Sequence, residues 1–301
     1  MRHNAPSGDF DGNGRSDLLW RNDDGQIAVW QTNSAGVLAS AVALGSASAD
    51  WHIDGTGDFN HDSHSDILFR NDDGSLAVWQ TNGQQIQSIN VLGSASSAWH
   101  SSSVGDFNGD GTSDLLFRND NGQIAQWIIN NNQIQSIQVL GSTSSAFHVV
   151  GISDLNGDGK ADLLFRDNAG VLATWLLNGD QPQSAQVLGS AAPNWHLVGT
   201  EDFNGNGKTD LLWRNDNGQV AEWLMHGAAV QSIQTVGTAG PQYHVEGTGD
   251  FNGDGRSDIL FRDTGGAVVE WLMNGAAIQT AQVLGSAPAD YHISAHHFDL
   301  V

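Results

Sequence analysis

Six short acidic stretches carry the clearest chemistry in this sequence. Asp9, Asp11, Asn13 and Asp17 stand at positions 1, 3, 5 and 9 of the first. The same spacing returns as Asp58, Asn60, Asp62 and Asp66, and as Asp106, Asn108, Asp110 and Asp114. It returns again as Asp154, Asn156, Asp158 and Asp162, as Asp202, Asn204, Asn206 and Asp210, and as Asp250, Asn252, Asp254 and Asp258. Alternating Asp and Asn in a tight loop brings hard oxygens to one centre, and position 7 can add a main-chain carbonyl. Calcium takes such a donor set, at six to eight oxygens. Glycine at position 6 admits a turn that a Cβ obstructs; in the second copy Ser63 stands there. The fifth copy has one carboxylate fewer and is expected to bind more weakly. No bidentate Glu follows at position 12, so the pattern is not an EF-hand. We expect up to six structural calcium ions. The loops hold 17 of the 34 acidic residues, so six ions would move the net charge from −23 to −11.

A second repeated set is polar and aromatic. Arg21, Arg70, Arg118, Arg166, Arg214 and Arg262 recur once per copy, followed by Asn22, Asn71, Asn119, Asp167, Asn215 and Asp263. Aromatic–His pairs recur as Trp51-His52, Trp99-His100, Phe147-His148, Trp195-His196, Tyr243-His244 and Tyr291-His292. An aromatic face stacks on the C–H patches of a sugar, while Arg, Asn, Asp and His bond its hydroxyls. Weak sites repeated around a ring gain strength by multivalency. The same residues can instead hold repeats together, Arg pairing with a loop Asp and His capping a strand through a main-chain carbonyl. A further set, Trp30, Trp79, Trp127, Trp175, Trp223 and Trp271, has apolar residues two and three places before it and reads as core. His61, His64 and His226 are isolated loop residues, and His296-His297 reads as a closure feature rather than a metal site.

These residues must be positioned by a repeat. Phe10, Phe59, Phe107, Leu155, Phe203, Phe251 and Phe298 span 288 residues, six periods of 48. Approximate repeat boundaries are 8–56, 57–104, 105–152, 153–200, 201–248 and 249–301, in one domain. Each copy reads as four short alternating strands separated by Gly, Asn and Asp turns, with no sustained helical period. Four strands per unit of about 48 residues predict a β-propeller blade, with a linear β-solenoid as the alternative. The first copy lacks its Trp-His strand, and residues 291–298 supply one. The fold class is therefore all-β: a six-bladed propeller of four-stranded antiparallel blades, closed when the C-terminal strand completes blade 1.

Composition bounds the partners. With 34 acidic against 11 basic residues, the surface repels phosphate backbones, so nucleic acid is not an expected partner. There is no cysteine. No apolar run reaches the roughly 20 residues of a membrane span, and Met1–Ser7 contain no apolar stretch of a signal peptide.

The motif GDFNGDGxSDLLxRNDDG and its variants resemble the FG-GAP/VCBS repeat of integrin-α-type propellers, over essentially residues 8–301. The resemblance implies calcium loops on one face, between the first two strands, and ligands on the opposite face or between blades. It also implies adhesion, lectin or enzyme-associated roles. We expect a multivalent carbohydrate-binding protein whose partners are glycans or glycoconjugates, working outside the cell or at its surface, with oligomerisation possible. A protein-binding adhesion or scaffold propeller is the alternative. An enzyme is not expected, since nearly every polar group recurs about six times and catalysis needs a unique constellation. The residues that differ between copies, Glu201, Glu222, Glu246 and Glu270, are the place such a site would form.

Overall fold

The computed structural model describes residues 8–179 and 181–293. Each blade is a four-stranded antiparallel sheet. Blade 2 consists of β4 (Trp51–Gly57), β5 (Asp66–Asn71), β6 (Ser75–Thr81) and β7 (Ile86–Ser94), in that order from the axis outwards. Blade 3 repeats this as β8 (Trp99–Gly105), β9 (Asp114–Asn119), β10 (Gln123–Asn130) and β11 (Gln133–Ser142). Blade 4 runs β12 (Phe147–Ser153), β13 (Asp162–Asp167), β14 (Val171–Leu177) and β15 (Pro182–Ser190). Blade 5 runs β16 (Trp195–Glu201), β17 (Asp210–Asn215), β18 (Gln219–Met225) and β19 (Val230–Thr238). Blade 6 runs β20 (Tyr243–Gly249), β21 (Asp258–Asp263), β22 (Ala267–Asn274) and β23 (Ala277–Ser286).

Blade 1 joins the two ends of the chain. Its strands β1 (Leu18–Asn22), β2 (Gln26–Thr32) and β3 (Leu38–Ser46) are completed on the inside by β24 (Tyr291–Ile293). Trp20 pairs with Ile293, Arg21 with His292 and Asn22 with Tyr291. Blades 6 and 1 are tied further by Ser16 N–H to the Asp250 carbonyl at 2.7 Å and by Gln282 Nε2 to the Ala35 carbonyl at 2.9 Å. The predicted closing strand is thus present at its start. Its continuation through His296, His297 and Phe298, with Asp299 after it, lies outside the described residues.

Burial explains why both faces of the middle strands are apolar. In β5, Ile67, Leu68 and Phe69 are all buried, because neighbouring blades cover both faces. The third-strand tryptophans pack as predicted: Trp79 lies 4.6 Å from Phe69, ring centre to ring centre, and Trp271 4.6 Å from Phe261. Such a pair adds about 0.5–1.5 kcal/mol beyond the area it buries. The indole also reaches the preceding blade. A Cβ on Gly141 of β11 would sit 3.2 Å from Trp175 of blade 4.

Bulges modify the predicted strands. Each inner strand from blade 2 to blade 6 has one extra residue at its middle, as at Asp54 between Ile53 and Gly55. Each outer strand is broken twice; in β7 the shifts frame the regular stretch Ser88–Val91. The sequence alternation shows strands but not these insertions, since a bulge adds one residue without changing residue type.

The hairpin between the second and third strands turns on a glycine that no other residue can replace. Gly218 has φ +86°, and an added Cβ would lie 2.1 Å from the Ala239 carbonyl oxygen. Left-handed backbone costs a non-glycine residue about 1–3 kcal/mol in such a site, and here a main-chain clash is added. Gly218→Ala is therefore expected to destabilise the protein by about 2 kcal/mol or more, lowering the melting temperature by several degrees. An unchanged melt would refute this account of the hairpin.

Candidate functional site

The acidic loops join the first and second strands of each blade, and each is anchored by its second residue. Phe10, Phe59, Phe107, Leu155, Phe203 and Phe251 are buried. The carboxylate at position 1 gathers the loop main chain: Asp106 Oδ1 accepts Gly109 N–H at 2.6 Å, and its Oδ2 accepts Gly111 N–H at 2.8 Å. The carboxylate at position 9 is buried in all six copies. In the third copy Asp114 Oδ2 accepts Phe107 N–H at 3.1 Å, and Oδ1 accepts Ile129 N–H at 2.8 Å. One side chain thus ties the loop to the end of the third strand. Burial, reinforced by neighbouring loop carboxylates, pushes Asp17, Asp162 and Asp258 up to about 7, Asp66 and Asp114 to about 8, and Asp210 to about 6.

The donor set suits a hard cation. In the first loop, one oxygen each from Asp9, Asp11 and Asp17 lie within 4.8 Å of one another. An ion about 2.3–2.6 Å from each oxygen fits that span. In the other loops the Asn at position 3 points its amide at a carboxylate. Asn60 bonds Asp62 at 3.0 Å, Asn108 bonds Asp110 at 3.0 Å, Asn156 bonds Asp158 at 3.1 Å and Asn252 bonds Asp254 at 3.5 Å. In the fifth copy position 5 is Asn206, which offers no carboxylate, and Asn204 turns to Asp210 at 2.7 Å instead. In the second copy His61 (φ 64°) and Ser63 (φ 69°) adopt the left-handed backbone that glycines occupy elsewhere.

Adjacent loops are wired together. The N–H at position 8 of each loop donates to the carbonyl of the position-1 Asp in the preceding blade. Ser65 bonds Asp9, Ser113 bonds Asp58 and Ala161 bonds Asp106, each at 2.7 Å; Thr209 bonds Asp154 at 3.2 Å, and Ser257 bonds Asp202 at 2.9 Å. The bond from Ser16 to Asp250 closes the circle. Lys208 adds a side-chain bond from Nζ to the Asn156 carbonyl of the preceding blade at 2.6 Å.

On the opposite face the two repeated polar sets meet, in roles reversed from the expected pairing. The arginines do not seek the loop aspartates. They donate to the main-chain carbonyls that lead into the next blade. Arg21 bonds the carbonyls of Trp51 and, at 3.0 Å, Ser48. Arg70 bonds the Trp99 carbonyl at 2.5 Å. Arg262 bonds those of Tyr291 at 2.5 Å and Pro288 at 2.7 Å. Arg118, Arg166 and Arg214 reach Ser144 at 3.3 Å, Ala192 at 3.2 Å and Gly240 at 3.2 Å. Arg70, Arg166 and Arg262 also lie over Phe117, Trp213 and Trp20 of the following blade. The histidines, expected to cap carbonyls, bond carboxylates: His52 with Asp72 at 2.8 Å, His100 with Asp120 at 2.7 Å, His196 with Asp216 at 2.7 Å and His292 with Asp23 at 3.1 Å.

These four aspartates were not singled out in the sequence. A signal was present: an Asp follows the Arg-Asn dipeptide in four copies, whereas Asn168 and Thr264 stand there in the copies with His148 and His244. The residues directly after Arg shape the hairpin. Asn22 accepts Gln26 N–H at 2.7 Å, Asn71 accepts Asp73 N–H at 3.0 Å, Asn119 accepts Gln123 N–H at 2.9 Å and Asn215 accepts Asn217 N–H at 3.1 Å. Asp167 accepts Val171 N–H at 2.7 Å and Asp263 accepts Ala267 N–H at 2.8 Å. The aromatics Trp51, Trp99, Phe147, Trp195, Tyr243 and Tyr291 are half-buried at the edges of the core clusters. A cavity of about 380 Å³ between blades 1 and 2 is lined by Arg21, Asn22, Asp23, His52 and His292. A second, of about 250 Å³, is lined by His52, Arg70, Asn71 and Asp72.

The divergent glutamates are dispersed. Glu222 on β18 and Glu270 on β22 are fully buried in different blades, and burial pushes both up to about 8. Glu270 receives Gln282 at 2.9 Å, while neither oxygen of Glu222 has a hydrogen-bond partner. Glu201 on β16 lines an axial cavity of about 230 Å³ together with Thr56, Ile152 and Thr200. Glu246 lies on β20.

The arginine bonds predict an order of stabilities. Each lost bond to a charged donor costs about 1.5–3 kcal/mol. Arg262→Ala is expected to lower the melting temperature more than Arg118→Ala, because Arg262 holds several carbonyls and a ring while Arg118 holds one distant carbonyl. Equal melts would show that the carbonyl bonds do not carry the blade junction.

Comparison with known proteins agrees with this geometry. A search of curated proteins found no match. A chain in a structure of the Photorhabdus luminescens Tc holotoxin pore is similar in fold, with a TM-score of 0.63 and 16% identity over 88% of this chain. The present chain spans 13% of the length of that one. A model of the FG-GAP-like repeat matches residues 9–69, 58–117, 106–165, 154–213 and 202–261. Each match runs from one aspartate loop to the second strand of the following blade, and the chain belongs to the FG-GAP-like repeat family.

Proposed function

We propose that this propeller is a multivalent carbohydrate-binding protein stabilised by calcium in its aspartate loops. The observation that carries the binding half is the repeated, solvent-facing His–Asp pair. In three of the four copies His52, His100 and His292 have side chains 60%, 61% and 64% exposed, and their aspartates are more exposed still. A carboxylate acceptor beside an imidazole presents hydrogen-bonding groups of both kinds to a sugar hydroxyl. The half-buried aromatic next to each histidine supplies an apolar surface. The inter-blade cavities that these residues line are shallow, so strength would come from repetition.

The arginines and the Asn or Asp that follow them act in this reading as scaffold. Their bonding is directed to main-chain groups, and they hold the histidine and aspartate in place. Sites with His148 and His244 lack the facing aspartate and would bind differently from the other four.

Calcium supports the opposite face. The buried position-9 aspartates carry carboxyls displaced upward by burial, and a bound cation offsets that penalty. The Asp9, Asp11, Asn13 and Asp17 set and its five counterparts would hold the ions. The main-chain relay between loops means that an ion ordering one loop also orders its neighbours.

Two measurements test this reading. Excess chelator should lower the melting temperature, and added calcium should restore it; a melt indifferent to chelator would remove calcium from the account. A glycan array in millimolar calcium should show binding to glycans that share one terminal sugar. His100→Ala should weaken that binding while leaving the melt unchanged, since its side chain is exposed. A blank array with folded protein would favour a protein-binding role.

A further inference from the structure

The perimeter of the ring differs in chemistry from both faces. Each outer strand, β3, β7, β11, β15, β19 and β23, pairs with one neighbour only, so its outer main-chain edge is open. None of the chain's 34 acidic and 11 basic residues lies in any of these strands. Natural edges are commonly blunted by lysine, proline, inward charges or bulges. Here only bulges serve, apart from Pro182 at the start of β15.

The exposed face of these strands is apolar to different degrees. In β7, Ile89 is 57% and Val91 72% exposed, and their ladder partners are Trp79 and Ala77. In β11 the counterparts are Ile137 and Val139. The outer strands β15, β19 and β23 each show one large apolar residue, Val187, Ile233 or Val283. In β3 the same positions are Ala41 and Ala43. Blade 2 therefore presents the strongest patch.

We propose that β7 is a self-association edge whose occupant is β7 of a second copy, paired antiparallel about Asn90. Two features select a second copy. The segment Ser88-Ile89-Asn90-Val91 is self-complementary: a two-fold axis at Asn90 places Ile89 opposite Val91 and Val91 opposite Ile89 on one face. Cross-strand pairs of this kind sit about 4.5–5.5 Å apart and each contributes a few tenths to 1 kcal/mol. The second feature is charge. A chain at −23 repels its own copy wherever carboxylates face each other, and the uncharged outer strands give contact without that opposition. Such a contact is isologous and closes as a dimer. The flanking bulges limit the ladder to the regular stretch Ser88–Val91, so the dimer forms at micromolar rather than nanomolar concentration.

Sedimentation equilibrium over the micromolar range tests this. The 32.0 kDa mass should double as concentration rises, and added sodium chloride should preserve or strengthen the doubling. Ile89→Lys with Val91→Lys should abolish it, while Val283→Lys in blade 6 should leave it. Because the chain has no cysteine, Asn90→Cys gives an independent readout: mild oxidation should yield a covalent dimer, and Ser40→Cys in blade 1 should not. A monomer at every concentration would overturn the proposal. So would a dimer that survives the double lysine variant, or equal cross-linking through Ser40→Cys.

Discussion

Six aspartates at the start of the second strands are buried with their oxygens turned toward main-chain N–H groups. Asp66, Asp114, Asp162, Asp210 and Asp258 have no measurable exposure, and Asp17 has 6%. Each receives the N–H that ends the third strand, and in five of the six a second bond from position 2 of the loop is in place. A buried carboxylate stays ionised only if its environment supplies positive charge or donors. The bonds supply part of that requirement, and the raised carboxyl values show that they do not supply all of it. A cation in the loop answers the remainder. The loop, the strand end and the link to the next loop all meet at this residue, so blade spacing on this face depends on it.

The opposite face solves a different problem. Consecutive blades are joined there by uncharged loops such as Gly93-Ser94-Ala95-Ser96, which have few side chains to anchor them. The guanidinium of the preceding blade does so, with rigid donors matched to several carbonyls at once. With Arg committed to that task, the histidines and their aspartates are the polar groups left facing solvent. Function on this face therefore rests on residues that the scaffold does not consume.

Charge is distributed by the same logic. Carboxylates gather in the loops and in the His–Asp pairs, and the perimeter has none in its strands. Each blade's outermost strand is held by one ladder only, and alternation gives it one half-packed face and one exposed face. The exposed positions are Ala in blade 1 and Ile or Val in blade 2. Repeats that are equivalent in fold thus need not be equivalent as surfaces.

The sequence alone determined the repeat, the four-strand blade, the count of six and the closure of the ring by the chain ends. These follow from periodicity and from the missing strand before Phe10, both of which are local properties of residue order. It also marked every loop aspartate and every arginine and histidine. What it left open was the partner of each. Arg21 bonds the carbonyl of Trp51, thirty residues on, and His292 bonds Asp23 across the chain ends. A main-chain carbonyl has no signature in a sequence, because every residue carries one. The bulges at Asp54 and its equivalents, the burial of Glu222 and the relay between loops were decided only when the blades packed. Packing brings together groups whose separation along the chain bears no relation to their distance in space.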